Sequence, residues 1–214
     1  MVYEQNGGEG LQLDSAPDVS SGFWYFGARL CPFAHRAWWS AFEKGINEEF
    51  KYVHIDLGES KPAWYKESIN RLGTVPFVMD DGKAIYESLL VVTYFEEKYP
   101  DKGTSLLPAC PADKATVRLI STRFEVGAFY GLLKAQDDET KDSMKKKIGE
   151  TLENFNNDLH AFVPNPSGPY LCGEFSLADI AVMPFIDRFS STLKHYRDFD
   201  LDLQKYDRIH SAFE

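Results

Sequence analysis

The chain lacks any apolar run of membrane-spanning length. No stretch of its 214 residues approaches the roughly 20 apolar residues that a transmembrane helix needs. Positive charge is also scarce, since 23 Lys and Arg face 33 Asp and Glu and the net charge is −10. This balance argues against nucleic acid or a membrane as a partner. A hydrophobic content of 43% and a charged content of 26% are ordinary for a soluble globular protein.

Cysteine is scarce too. Three cysteines, an odd number without framework spacing, do not fit a secreted disulfide scaffold. The first 21 residues hold four acidic residues, no Arg or Lys and no apolar segment, which excludes a secretory signal and makes a poor transit peptide. We therefore expect a cytoplasmic protein with a flexible N-terminal arm over residues 1–21.

The pattern from residue 22 predicts an α/β unit. Its order is strand, helix, strand, helix, strand, strand, helix, and the last two strands form a hairpin around an Asp-Asp-Gly turn, residues 80–82. After a proline-rich linker at residues 101–111, every segment has helical spacing. The sequence thus predicts an α/β domain at residues 22–100 and an all-helical domain at residues 112–214.

Cys31 is the residue that most clearly indicates chemistry. It follows an aromatic strand pattern and precedes Pro32, which suits the first position of a helix because it lacks an N–H. The partial positive charge of a helix start favours a thiolate there. Because the motif is Cys-x-x-Ala, no second cysteine one turn away can resolve a mixed disulfide. A reactive Cys31 would need an external thiol such as glutathione, whereas the alternative is a buried, inert cysteine.

Several segments in order carry a resemblance to a known family. They are Cys-Pro-Phe-Ala-His-Arg at 31–36, Lys-Pro at 61–62 with Trp64, Gly-Thr-Val-Pro at 73–76, Tyr-Glu-Ser at 86–88 and Phe-Ser-Leu-Ala-Asp-Ile at 175–180. The chain resembles the cytosolic glutathione transferases, and most closely their cysteine-type Omega and Lambda classes. The resemblance implies a thioredoxin-like N-terminal domain followed by an all-α C-terminal domain.

The resemblance also implies a binding site for glutathione as co-substrate, without a metal. The Val75–Pro76 bond would be cis, so that the Val75 backbone pairs with the cysteinyl part of the tripeptide. Glu87 and Ser88, at a helix start, suit the amine and the carboxylate of the γ-glutamyl part, although simple helix capping is the alternative.

Two further side chains complete the implied site. Lys61 matches the Lys-Pro of the Omega class and would hold the glycyl carboxylate, although a surface lysine is usually only solvated. Phe33 would pack against the bound tripeptide, although packing in the core would explain it equally well.

The second substrate is expected between the domains, beside the helix that begins near Pro111. Phe124, Gly127 and Tyr130 recur at spacings of three and would line it, although helix–helix packing gives the same pattern. Family members usually continue beyond the point that matches Glu214. We therefore expect a C-terminal domain that is either truncated or short.

The leading interpretation is a glutathione-dependent thiol transferase or reductase with Cys31 as nucleophile. Expected substrates are glutathionylated proteins or small molecules, dehydroascorbate and glutathione adducts, and the protein would be a monomer or a homodimer. One alternative is a conjugating transferase for detoxification of electrophiles, in which the Tyr25 hydroxyl stabilises the glutathione thiolate. We expect Tyr25 to fill space in its strand instead. The other alternative is a non-catalytic ligand-binding relative.

Overall fold

The structure, a computed structural model, describes residues 10–214. It divides into two compact units, of which the first ends at residue 105 and the second spans residues 106–214. The boundary falls inside the proline-rich segment at residues 101–111. No helix among residues 10–214 is long and apolar enough to cross a membrane.

The first unit is built on a four-stranded mixed sheet with the order β2-β1-β3-β4. β1 pairs in parallel with β2 and antiparallel with β3, and β3 pairs antiparallel with β4. The elements are β1 (Phe23–Gly27), α1 (Pro32–Glu43), β2 (Lys51–His54), a π-helical segment (Tyr65–Ile69), β3 (Phe77–Asp80), β4 (Lys83–Tyr86) and α2 (Ser88–Lys98). The order is the predicted one, and the fold is thioredoxin-like.

Alternation along β1 places its side chains in two cores. Trp24 and Phe26 pack on one face of the sheet with Phe77 of β3. Tyr25 packs on the opposite face with Trp38 of α1. Because both faces are covered, β1 is aromatic along its length rather than alternately polar.

The turn between β3 and β4 follows the predicted chemistry. Asp81 and Gly82 have φ angles of +45° and +77°. Positive φ at both central residues is the geometry of the tight hairpin turns that Asp-Gly favours.

The segment before β1 is more ordered than expected. The Leu11 N–H donates to the Tyr52 carbonyl at 2.8 Å, and the His54 N–H donates to the Leu11 carbonyl at 3.1 Å. The Trp64 indole N–H donates to the Leu13 carbonyl at 3.2 Å. Residues 11 and 13 of the predicted arm are thus hydrogen-bonded to the first unit, and residues 1–9 lie outside the described residues.

The second unit is helical. Its elements are α3 (Pro111–Arg123), α4 (Gly127–Lys134), α5 (Asp138–Phe162), α6 (Leu177–Arg197), a 3₁₀ turn (Leu203–Lys205) and α7 (Asp207–Phe213). α6 is the central helix and begins with a capping box between Ser176 and Asp179. α7 is tied to the end of α5, because Asn156 donates to Asp207 at 3.0 Å and His160 lies 2.9 Å from the same carboxylate.

Candidate functional site

Cys31 is the N-cap residue of α1, with Pro32 at the first helical position as predicted. The first turn of α1 carries no acidic residue. The Cys31 side chain is half-buried, and its Sγ lies 3.8 Å from the Val75 carbonyl oxygen. The fold thus brings the thiol to the loop that precedes β3.

That loop is held by two side chains. The Val75–Pro76 peptide bond is cis, as the resemblance implied. The carbonyl of Thr74 accepts hydrogen bonds from the Tyr65 hydroxyl at 2.6 Å and the Asn70 amide at 2.9 Å. Burial raises the pKa of Tyr65, so its hydroxyl stays a donor. Both donors leave the neighbouring Val75 backbone in a fixed orientation.

Sequence reasoning missed Tyr65 and Asn70. Asn70 is 3% exposed, and Tyr65 is completely buried. The sequence signal of a tight turn at this point is Gly73, which adopts a positive φ of +66° in the structure.

Glu87 and Ser88 stand together where α2 begins. Glu87 is the N-cap residue and has a φ of +67°, a conformation that non-glycine residues rarely adopt. The first bond of the helix ladder runs from the Val91 N–H to the Glu87 carbonyl. The earlier N–H groups of α2 therefore point out of the helix start, where they favour an anion.

Ser88 has a charged partner that the sequence did not reveal. The Arg36 guanidinium, on α1, donates to the Ser88 hydroxyl at 3.1 Å, across 52 residues of sequence. Arg36 is 7% exposed. Nothing in the spacing around Arg36 marks this pairing, because it depends on how α1 and α2 pack.

A cavity of about 430 Å³ lies between α1, the loop before β3 and the start of α2. Its lining residues are Phe33, Arg36, Thr74, Val75, Pro76, Glu87, Ser88 and Leu89. Five of the residues predicted for the site are thus brought together around one cavity. Cys31 and Lys61 are not among the lining residues. The Cys31 Sγ approaches the cavity wall at Val75, and the Lys61 ammonium donates to the Gly73 carbonyl at 2.6 Å.

Tyr25 is not placed to act on a bound ligand. Its side chain is 1% exposed, and its hydroxyl donates to the Ala34 carbonyl at 2.8 Å. The expectation that Tyr25 fills space in its strand is confirmed.

The three residues predicted for a second substrate belong to two different segments of the helical unit. α3 ends at Arg123, so they do not share one helix. Phe124 is 6% exposed and packs against Phe129 and Phe155, with ring centres 5.5 and 5.3 Å apart. Its place in a second-substrate site stays a prediction. Gly127 lines a separate cavity of about 460 Å³ in the helical unit. The Tyr130 ring stands edge-on to Phe189 at 5.2 Å.

Metal ligands are not clustered in the part of the chain that the structure describes. No group of three or more His, Cys, Asp and Glu side chains is placed there to hold a metal ion. The metal-free site stays a prediction.

Comparison with known proteins agrees with the two-unit architecture. Residues 26–103 match the family model described as the glutathione S-transferase N-terminal domain. Residues 120–213 match the model of the glutathione S-transferase C-terminal domain.

Curated relatives include plant proteins. Glutathione S-transferase L3 of Arabidopsis thaliana is 34% identical over 82% of this chain and 70% of its own length. Protein IN2-1 of Zea mays is 32% identical over 80% of this chain and 67% of its own length.

Solved structures give the same likeness. A Leishmania protein, TDR1, described as a unique trimeric glutathione transferase, has a TM-score of 0.78 at 28% identity, over 90% of this chain and 43% of that one. Glutathione transferase Omega 3C from Trametes versicolor has a TM-score of 0.71 at 29% identity, over 94% of this chain and 85% of that one.

A thioredoxin-like unit with a cysteine at its first helix start, followed by an all-helical unit, is the architecture of a glutathione-using enzyme. The chain belongs to the glutathione S-transferase family, and its relatives include Lambda-class members. Enzymes of this family use glutathione as co-substrate.

Proposed function

We propose that the protein is a glutathione-dependent thiol transferase in which Cys31 is the nucleophile. The observation that carries the proposal is the position of Cys31 at the start of α1, with its Sγ 3.8 Å from the Val75 carbonyl. The thiol stands at a helix start, next to the loop proposed to hold glutathione.

Glutathione would bind in the cavity of about 430 Å³. The Val75 N–H and carbonyl would pair with the cysteinyl backbone, as in the addition of a strand. Glu87 would hold the γ-glutamyl amine, and Ser88 with the first N–H groups of α2 would hold the carboxylate. Phe33, which lines the same cavity, would pack against the tripeptide.

Lys61 is the weakest member of the proposed set. Its ammonium already donates to the Gly73 carbonyl at 2.6 Å. An ammonium has three donors, so Lys61 could keep this bond and still reach the glycyl carboxylate at the end of the cavity beside Thr74.

The proposed reaction is two successive thiol–disulfide exchanges. The Cys31 thiolate attacks the glutathione sulfur of a mixed disulfide, a Cys31–glutathione S–S bond forms, and the substrate leaves as a thiolate that takes a proton from water. The thiolate of a second glutathione then attacks the glutathione sulfur bound to Cys31, releasing oxidised glutathione and the Cys31 thiolate. The net change is one substrate disulfide and one glutathione to one substrate thiol and one oxidised glutathione.

Conjugation by a tyrosine hydroxyl is disfavoured, because the Tyr25 hydroxyl is buried and donates to Ala34. A ligand-binding relative without turnover would not need a cysteine beside the cavity. Glutathionylated proteins, dehydroascorbate and glutathione adducts remain the proposed substrates.

Assembly and compartment are also proposals. We propose that the protein is a monomer or a homodimer. One structural neighbour is described as trimeric. The cytoplasm stays a prediction, because the relative glutathione S-transferase L2 of Arabidopsis thaliana is named chloroplastic.

The test compares Cys31→Ser with Cys110→Ser in two assays, reduction of a glutathionylated peptide and conjugation of a halo-aromatic electrophile. Cys110 is a matched control, because it too is an N-cap residue followed by a proline, but it lies in the exposed start of α3. We expect Cys31→Ser to abolish reduction and Cys110→Ser to leave it unchanged. Near-full reduction by Cys31→Ser would contradict the proposal.

A further inference from the structure

We infer that Arg36 is a positioning residue that makes the Ser88 side of the cavity selective for a carboxylate. The inference rests on the proposed glutathione site and adds a residue to it. It concerns binding of the γ-glutamyl end and is independent of whether Cys31 is the nucleophile.

The geometry places a buried cation behind Ser88. The Arg36 guanidinium donates to the Ser88 hydroxyl at 3.1 Å and lies 5.4 Å from the centre of the Phe33 ring. All three side chains line the same cavity. Arg36 is on α1 and Ser88 is the first residue of α2, so the guanidinium joins the two helices at the cavity wall.

This pairing fixes what Ser88 can offer a ligand. A guanidinium stays protonated and can only donate hydrogen bonds. A hydroxyl that accepts from it keeps its own proton for another acceptor. Ser88 is therefore a donor toward the cavity, and a ligand group at this position has to accept.

The surrounding charges favour an anion among the possible acceptors. The guanidinium carries a full positive charge behind Ser88, and the N–H groups at the start of α2 carry partial positive charge in front. The charge of Arg36 acts on the ligand through the polarised Ser88 hydroxyl. The carboxylate of Glu87, the residue before Ser88, supplies the negative charge for an amine. With Arg36 behind Ser88, the carboxylate of the γ-glutamyl group lies at Ser88 and its amine at Glu87.

The test uses two inert ligands, S-methylglutathione and the same molecule with its γ-glutamyl α-carboxylate converted to a carboxamide. The thioether cannot exchange with Cys31, so binding is measured without chemistry. Calorimetric titration is carried out on the wild-type protein, Arg36→Met, Arg36→Lys, Ser88→Ala and the double variant Arg36→Met with Ser88→Ala. Arg123→Met is the control, since it removes an exposed guanidinium that pairs with Asp158 in the helical unit.

We expect Arg36→Met to weaken binding of the carboxylate ligand about tenfold or more and that of the carboxamide by about twofold or less. Arg36→Lys keeps the charge and is expected to retain part of the preference. Ser88→Ala is expected to reduce the preference for the carboxylate ligand as well. The double variant is expected to lose little more of this preference than the more affected single variant, because the two side chains act as one unit. Arg123→Met should leave both affinities unchanged.

A preference that survives in Arg36→Met overturns the inference. Equal weakening of both ligands also overturns it, because that would indicate a purely structural role. The comparison is made between two ligands on one protein, so a partly unfolded sample does not change the ratio. Strictly additive losses in the double variant would show that Arg36 does not act through Ser88. A wild-type protein that binds neither ligand would refute the glutathione site itself, whereas an active Cys31→Ser would refute only the reaction.

Discussion

The Sγ of Cys31 lies 3.8 Å from the carbonyl oxygen of Val75, 44 residues further along the chain. This proximity distinguishes Cys31 from Cys110, the other cysteine at a helix start. Cys110 has the same N-cap position and the same following proline, yet it is exposed, and Asp113 stands in the first turn of its helix. A Cys-Pro pair at a helix start is therefore not sufficient to identify a reactive thiol. What distinguishes Cys31 is the short distance from its Sγ to the carbonyl oxygen of Val75.

Glu87→Ala should weaken binding of S-methylglutathione by about 1.5–3 kcal/mol, the usual scale for a hydrogen bond to a charged group. Lys61→Ala should cost less, about 0–1 kcal/mol, because its ammonium is only partly buried. Calorimetric titration measures both, with Glu59→Ala, at an exposed position, as the control. Unchanged affinity in Glu87→Ala would remove the basis for placing the amine there.

Cys172 should differ sharply from the other two cysteines in alkylation. Burial, with the Asp179 carboxylate nearby, raises the pKa of Cys172 to about 12, so this thiol stays neutral at physiological pH. Iodoacetamide is expected to modify Cys31 and Cys110 but not Cys172, as measured by peptide mass spectrometry.

S-Methylglutathione should protect Cys31 in that experiment and leave Cys110 unprotected. Cys110 is again the matched comparison, because its helix start is alike but belongs to the other unit. Equal protection of both thiols, or rapid labelling of Cys172, would contradict this prediction.

Tyr65→Phe should lower the free energy of unfolding by about 0.5–1.5 kcal/mol, because the Thr74 carbonyl loses one of its two donors. Asn70→Ala should cost more, about 1–3 kcal/mol, since its buried amide also accepts from the Leu72 N–H. Urea unfolding measures these changes.

Both variants should also bind S-methylglutathione more weakly, because the loop that carries Val75 loses its fixed orientation. Tyr196→Phe, on an exposed ring, is the control. If Asn70→Ala is destabilised but still binds S-methylglutathione with full affinity, the orientation of the loop does not control binding and this prediction is wrong.

Acid should loosen the attachment of α7. Hydrogen bonds from Asn156 and then His160 hold the pKa of Asp207 below its ordinary value. A folded-state pKa below the unfolded one adds stability above about pH 4 that is lost as the pH falls further. Asp207→Asn should therefore be less stable than wild type at neutral pH, by less than about 1 kcal/mol because the group is exposed.

The difference between Asp207→Asn and wild type should shrink as the pH falls from neutral to about 3, because the carboxylate of the wild-type protein becomes protonated over the acid end of this range. Urea midpoints at the two pH values measure it, with Glu153→Gln on α5 as the control. A difference that is constant with pH would mean that the ionised form of Asp207 is not the stabilising one.

Local chemistry accounts for what could be predicted. Pro32 after Cys31 predicted the helix start, and the Asp-Gly turn predicted the hairpin, because each signal acts within a few residues. The residues around the cavity followed from the resemblance, which supplied the pairing of distant segments.

Packing between distant segments accounts for what was missed. Arg36 reaches Ser88 and Asn70 holds Thr74 only once the helices and the loop are in place. The spacing from Phe124 onward suits a continuous helix, whereas α3 ends one residue before Phe124 and the Phe124 ring is buried in the core. A periodic pattern indicates which side chains share a face but not where the helix stops.

The contact of Leu11 with β2 has a consequence for self-association. β2 is an outer strand of the sheet, and an outer strand with open N–H and carbonyl groups is a template for a second chain. Leu11 occupies both neighbouring positions on β2, through Tyr52 and His54. The chain thus covers one of its own sheet edges, while β4 at the other side carries the exposed Lys83. Loss of the segment around Leu11 would open a strand edge to aggregation while leaving every residue of the cavity in place.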